Sequence, residues 1–212
     1  RLPDPVRAPE VYVLREAIQS WRFYDHFRSD QDAPARQSNI GTRTPVLSND
    51  GHDFASAWRT IVEVGDHEGL EAAVSDAFPG AHVDIVQKAG RFDLSFQQDG
   101  LLRPLSQAEL SDGTLRYLLW IAALLTPRPP ALMVLNEPET SLHPELLPPL
   151  GRLMKKCADS TQLWVISHAH GLIEALSEES NHVHLTKRLG ETMIEGLGTL
   201  DFKTPAWKWP VR

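Results

Sequence analysis

Cysteine is nearly absent: the 212 residues contain one, Cys157. A single thiol excludes an intrachain disulfide framework and fits a reducing, cytoplasmic setting. Long apolar runs are missing too, and nothing approaches the roughly 18–20 residues that a membrane-spanning helix needs. Nor is there a surplus of positive charge, since 21 Lys and Arg face 28 Asp and Glu for a net charge of -7. That balance excludes a chain that binds nucleic acid over its whole surface. It leaves room only for a local basic strip such as Arg28, Arg36, Arg43 and Arg59. No repeat is visible, and no heptad run is long enough for a coiled coil. The opening residues, Arg1-Leu2-Pro3-Asp4-Pro5, carry neither an initiator Met nor a signal-peptide apolar region, and read as the middle of a longer chain.

What is present is a composition 42% hydrophobic, enough for one sizeable core. Val11 to Ile18 has apolar residues at helical spacing, and Trp21, Phe23, Tyr24 and Phe27 follow as aromatics expected to pack on a core. Residues 28–50 are polar and punctuated, an exposed loop that includes Arg36 and Arg43. His52 to Val64 and Gly69 to Phe78 read as amphipathic helices, the second stopped by Pro79-Gly80. Two alternating segments, Ala81 to Val86 and Arg91 to Phe96, face each other across Ala89-Gly90 as a β-hairpin. The second half changes character. Thr114 to Leu125 is a strongly apolar helix. Ala131 to Leu135 and Gln162 to Ile166 are short apolar runs of the kind buried on both faces of a parallel sheet. A helix from Pro144 to Cys157 and another from Gly171 to Leu176 follow those strands. Val183 to Leu185 and Thr192 to Ile194 suggest a closing hairpin. The strand–helix alternation predicts an α/β fold.

In open α/β sheets, chemistry gathers at the carboxyl ends of the strands. The first apolar strand runs into Asn136-Glu137-Pro138-Glu139-Thr140-Ser141-Leu142-His143-Pro144, and the second into Ser167-His168-Ala169-His170. An apolar strand ending in two polar residues resembles a Walker B element, in which the first residue helps hold Mg²⁺ and the second polarises the attacking water. Ser111-Asp112-Gly113 at a helix start offers a hydroxyl and outward backbone N–H groups to an anion, although such a fragment taken singly is more often a simple N-cap. Asn-Glu-Pro reads equally well as a turn. His168 can donate to a phosphate oxygen, or it can be structural. The alternating pairs His168/His170 and His182/His184 would each share one face of a strand, which leaves a metal site as a second reading of the histidines.

In combination and order, Leu110 to Arg116, Val134 to Pro144 and Val165 to His170 resemble the signature, the Walker B with D-loop, and the switch histidine of ABC-type ATPases, most closely the RecF/SMC-like branch. The resemblance implies a P-loop NTPase-like α/β sheet flanked by helices, with a smaller helix and β-hairpin part before it. Residues 1–104 would be that family-specific part, and residues 105–212 the C-terminal ATPase lobe. By the same resemblance Glu137 is the catalytic carboxylate and His168 the switch histidine. Ser111, Asp112 and Gly113 bind the γ-phosphate of ATP held by a second copy, and Ser141, Leu142 and His143 form the D-loop. ATP and Mg²⁺ are the implied cofactors. A homodimer formed on ATP binding is the implied assembly, with DNA or a partner protein as further partners, no membrane, and DNA repair or phage defence as the setting.

Two departures qualify the match. Asn136 stands where the pattern has a carboxylate; its amide oxygen can accept from a magnesium-bound water but brings no charge. No Gly-x4-Gly-Lys-Ser/Thr occurs in the 212 residues, so nothing in them cradles a β-phosphate. The expectation is a Walker A lobe N-terminal to Arg1, and little hydrolysis by these residues alone. About 40 residues after His168 are too few for an appended nuclease domain of roughly 100. The alternatives from other classes are a non-catalytic scaffold that keeps the dimer surface, and a plain DNA-binding module.

Overall fold

The structure, a computed structural model, describes residues 6–188 and 191–195. It divides into a unit running through Leu176 and a second unit from Ser177 onward.

The first unit opens with α1 (Pro9–Ser20), which has Pro at its first position and no buried residue. β1 (Arg22–Tyr24) and the two-residue β2 (Asn39–Ile40) come next. The helices α2 (Phe54–Val64) and α3 (His67–Ala77) follow, and the Asp66 carboxylate caps α3 by accepting from the Gly69 N–H at 2.8 Å. β3 (His82–Lys88) and β4 (Arg91–Gln97) form the expected hairpin. Ala89 and Gly90 have φ of 51° and 74°, the two left-handed residues that a two-residue turn with the twist of its strands requires. After β5 (Leu105–Ser106) come α4 (Asp112–Leu124), β6 (Leu132–Asn136), α5 (Leu147–Ala158), β7 (Gln162–Ile166) and α6 (His170–Leu176).

Two sheets result. β1, β6 and β7 form a parallel sheet in that order, with Phe23, Val134 and Trp164 in register. β2, β4 and β3 form an antiparallel sheet that β5 extends from β4. The core lies on one side of the parallel sheet: Tyr24, Met133 and Leu135 are fully buried with the all-round apolar α4, with Leu150 and Met154 of α5, and with Trp58 and Ile61 of α2. Tyr24, Phe27 and Trp120 stack there edge to face or tilted, at centroid distances of 4.8–6.2 Å.

The opposite face departs from expectation. Phe23, Trp164 and Ile166 are 53%, 58% and 45% exposed. β7 is therefore covered on one face, not two, and it is an edge strand. The α5 helix also starts later than Pro144. An α-helix from that point would need N–H groups at residues 148 and 149, and both are proline, so residues 144–146 form a 3₁₀ turn and the α-helix begins at Leu147.

The second unit contains β8 (Leu185–Arg188) paired antiparallel with β9 (Glu191–Ile194), the closing hairpin. His182 and His184 lie before β8, and His168 and His170 lie at the loop and start of α6. Neither pair shares a strand face, and among the described residues no three His, Cys, Asp or Glu side chains are grouped to hold a metal.

Candidate functional site

All three strands of the parallel sheet end at the same edge, and the motif residues hang from it. β6 ends at Asn136. Glu137 follows with φ of 46°, a left-handed conformation for a non-glycine residue, held by its N–H donating to Ile166 O at 2.8 Å and by Thr140 N–H closing the turn onto Glu137 O at 3.0 Å. The Trp120 indole N–H donates to Pro138 O at 3.0 Å, which ties this turn to α4. Glu137 and His168 meet here, with carboxylate Oε1 3.5 Å from imidazole Nε2 and both side chains open to solvent, 49% and 82% exposed.

Glu139 points the other way. Its Oε1 accepts from Ser167 Oγ at 2.8 Å, His168 N–H at 2.8 Å and Ala169 N–H at 3.2 Å, and its Oε2 is buried without a partner. The second carboxylate of the string therefore fastens the loop that carries His168, and is committed to backbone rather than open to a substrate.

Ser111 caps α4 by accepting from the Thr114 N–H at 3.1 Å. Asp112 pairs with Arg36 at 2.8 Å, and a Cβ placed on Gly113 would come 3.0 Å from the Ser141 carbonyl. The turn at 111–113 thus packs against the turn at 140–143 of the same chain, and makes no hydrogen bond to Glu137 or His168. In the 140–143 turn Ser141 has φ of 65°, Leu142 is half-buried against the core, and His143 Nδ1 accepts from the Glu145 N–H at 3.4 Å.

Two arginines hold the assembly. Arg36, expected in an exposed loop, is buried, because the backbone of residues 107–110 folds over it. Its guanidinium donates to Ser29 O (2.9 Å), Ala108 O (3.0 Å) and Leu110 O (2.8 Å) besides Asp112. Arg116 is buried beneath the 140–143 turn and joins His26, Ser29, Thr140 and Ser141. Of the expected basic strip, Arg28 and Arg59 are also paired, with Asp30 and Glu63. Of that strip, Arg43 alone is an exposed cation without an ion pair among the described residues. Burial pushes the Cys157 thiol up to about 11, so it is a packing residue and not a nucleophile.

Sequence reasoning missed Asp25 and His26, at the end of β1. Asn136 Nδ2 donates to Asp25 Oδ1 at 2.6 Å, and His26 Nε2 lies 3.1 Å from Arg116. The signal was weak, since β1 has three residues and no measurable periodicity. With Glu137, Arg116 and Trp120 these residues line a shallow depression at the sheet's carboxyl edge.

A parallel sheet with helices packed on its buried face, and a carboxylate and a histidine at its carboxyl edge, defines the class as an α/β fold. Residues 6–174 match the family described as "AAA domain, putative AbiEii toxin, Type IV TA system", and the chain belongs to that family. No curated protein matches the sequence. Among solved structures the chain is similar to one reported for ATP-driven dimerization and DNA-stimulated activation of SMC ATPases, at 13% identity over 66% of this chain and 86% of that one, with a TM-score of 0.51. It is similar to the Smc head domain with a coiled coil and joint from Pyrococcus yayanosii, at 13% identity over 66% of this chain and 28% of that one, TM-score 0.54. It is also similar to an SmcHead bound to the C-winged helix domain of ScpA, at 11% identity over 82% of this chain and 54% of that one, TM-score 0.54. The chain spans well under two thirds of the last two. At these identities the likeness is one of fold.

Proposed function

We propose that the chain is the signature- and Walker B-bearing lobe of an ATPase of the RecF-like branch, and that it works as a nucleotide-driven dimerisation switch. Glu137 polarises the attacking water and His168 donates to the γ-phosphate. Ser111, Asp112 and Gly113 open α4 toward the phosphate of ATP held by a second copy, and Ser141 to His143 cross between copies as the D-loop. Residues 105–212 form the C-terminal lobe, and residues 1–104 contribute its family-specific part together with β1. The setting that the resemblance brings is DNA repair or phage defence, and DNA is the partner to test first.

One observation carries this reading: Glu137 and His168, from the ends of two neighbouring parallel strands, stand 3.5 Å apart at the sheet's carboxyl edge. The cofactor fit rests on the donor set. Asn136, Glu137 and Asp25 offer oxygen ligands only, suited to Mg²⁺, which takes one or two carboxylates and completes its shell with water and substrate phosphates. When bound, the metal would neutralise charge on the transferred phosphoryl group. The loop that cradles the phosphates is not among these residues, and we propose that a P-loop-bearing lobe covers the open face and edge of β7. The exposure of Phe23, Trp164 and Ile166 supports that placement.

The test is Glu137→Gln in the polypeptide that includes the P-loop. ATP binding persists, hydrolysis falls by roughly 10²-fold or more, and an ATP-bound dimer accumulates. Hydrolysis near the wild-type rate would remove Glu137 from the mechanism. A wild-type protein that dimerises without hydrolysing would leave a scaffold.

A further inference from the structure

Position 136 lacks the negative charge that the ATPase reading calls for, but the charge has not left the site. The register that pairs Tyr24 with Leu135 brings Asp25, one residue past β1, alongside Asn136, the last residue of β6. Residues in register on parallel strands project to the same face, so both side chains leave the sheet on the side of Phe23 and Val134. There they are joined, Asn136 Nδ2 donating to Asp25 Oδ1 at 2.6 Å. The Asn136 amide oxygen and the second Asp25 oxygen have no protein partner among the described residues. Glu137, next along the chain, borders the same depression.

We propose that Asp25 supplies the metal-side carboxylate that Asn136 lacks, so that this ATPase carries its magnesium-facing charge on β1 instead of β6. The inference rests on the ATPase reading above. Its physical core is charge conservation between two adjacent positions. Aspartate at both would set like charges at hydrogen-bond distance, which cannot both ionise freely. Asparagine at one and aspartate at the other keeps a single charge, and the amide N–H orients the carboxylate while the amide oxygen remains an acceptor for a metal-bound water. Strands lie about 4.8 Å apart, so the charge moves sideways by one strand and stays at the same edge.

The charge can be moved back. Mn²⁺ alone, a paramagnetic stand-in for Mg²⁺, is titrated into the 212-residue chain, free Mn²⁺ is read by electron paramagnetic resonance, and Mg²⁺ is added in competition. Asp25→Asn weakens Mn²⁺ binding by about tenfold or more. The double variant Asp25→Asn/Asn136→Asp, which returns the carboxylate to β6, restores it to within about threefold. Thermal unfolding, recorded on both, stays near wild type because the side chains remain hydrogen-bonded. Wild-type Mn²⁺ affinity in Asp25→Asn overturns the proposal, and so does a wild-type chain that takes up no Mn²⁺. So does a well-folded double variant that fails to regain the metal. ATP binding by the P-loop-bearing polypeptide, measured separately, decides the underlying reading: loss of the Asp25 effect with ATP still bound defeats this inference alone, and absence of ATP binding defeats the ATPase reading itself.

Discussion

Arg116 Nη1 donates to Ser141 Oγ at 3.0 Å and to Thr140 O at 2.9 Å, so α4 is fastened to the turn that follows β6. The same guanidinium reaches Ser29 Oγ at 3.1 Å and His26 Nε2 at 3.1 Å, from the segment after β1. Three parts of the chain thus share one buried cation, and burial holds its pKa below the ordinary arginine value without neutralising it.

Arg116→Met keeps much of the packing and removes every one of these hydrogen bonds. The Thr140 carbonyl and Ser29 hydroxyl are left in a partly dry site. The expected loss is about 2–4 kcal/mol in urea unfolding, well above the cost of an ordinary surface change. Arg116→Lys recovers less than half of it, because one ammonium cannot match the fork of a guanidinium. A loss under about 0.5 kcal/mol for Arg116→Met would show that the network is not holding the 140–143 turn.

Glu137 and Glu139, two residues apart, are predicted to fail in opposite ways. Glu139→Ala strips the acceptor from Ser167, His168 and Ala169. It should cost about 2–4 kcal/mol of stability and loosen the His168 loop in hydrogen exchange. Glu137 carries a backbone cost instead, with φ of 46°. Glu137→Asn, whose side chain suits the left-handed region, should raise stability by about 0.5–1 kcal/mol while abolishing hydrolysis. Such a gain is what a residue kept for chemistry at the expense of conformation yields. Destabilisation by Glu137→Asn would mean that the turn needs the glutamate for folding.

How much of this was legible in the sequence depends on whether a segment announces itself locally. α4 and β6 do, through unbroken apolar runs whose lengths suit a buried helix and a buried strand, and the β3–β4 hairpin does through Ala89-Gly90 between alternating arms. The Glu137–His168 meeting followed from the strand ends. β1 does not announce itself: three residues have no period, and its pairing depends on β6, so the Asp25–Asn136 bond joins positions 111 residues apart. Arg36 read as a loop cation because its neighbours are polar, while its burial comes from carbonyls more than 70 positions away. β7 read as buried on two faces because Leu163, Trp164, Val165 and Ile166 are all apolar. Apolarity on both faces records what a strand could bury, and here Trp164 and Ile166 lie open.

Glu109 offers a pH marker that is independent of the nucleotide chemistry. Hydrogen bonds from Arg103, then from the Ser106 N–H and hydroxyl, pull its carboxyl from the usual 4.5 down to about 2. A carboxyl depressed on folding stabilises the fold above its unfolded pKa, and that contribution fades as the pH falls from about 4.5 through about 2. A carbon-13 NMR titration should place the Glu109 midpoint near the lower value, and Arg103→Ala should move it up toward 4.5. The salt bridge is exposed, so added salt should also raise the midpoint. A midpoint that ignores both salt and Arg103 would mean that the ion pair does not hold the Glu109 carboxyl down.

The signature is predicted to act in trans. Ser111 spends its hydroxyl on capping α4, accepting from Thr114 at 3.1 Å, and the phosphate-cradling loop is not among these residues. In the trans arrangement, the first-turn N–H groups of α4 meet the phosphate of ATP held by another copy. Ser111→Arg, in the P-loop-bearing polypeptide, puts a long side chain where that phosphate must approach. It should bind ATP normally, fail to dimerise, and hydrolyse poorly. The change also removes an N-cap worth about 1 kcal/mol, so Ser111→Asn, which caps as well as serine, is the control and should keep near wild-type stability. A mixed dimer is the sharper experiment. Pairing Ser111→Arg with a P-loop-dead copy leaves one composite site intact, made from the first copy's P-loop and the second copy's signature. Hydrolysis should rise on mixing above that of either copy alone. Full activity from a strictly monomeric Ser111→Arg protein, shown by sedimentation beside the ATPase assay, would refute the trans arrangement.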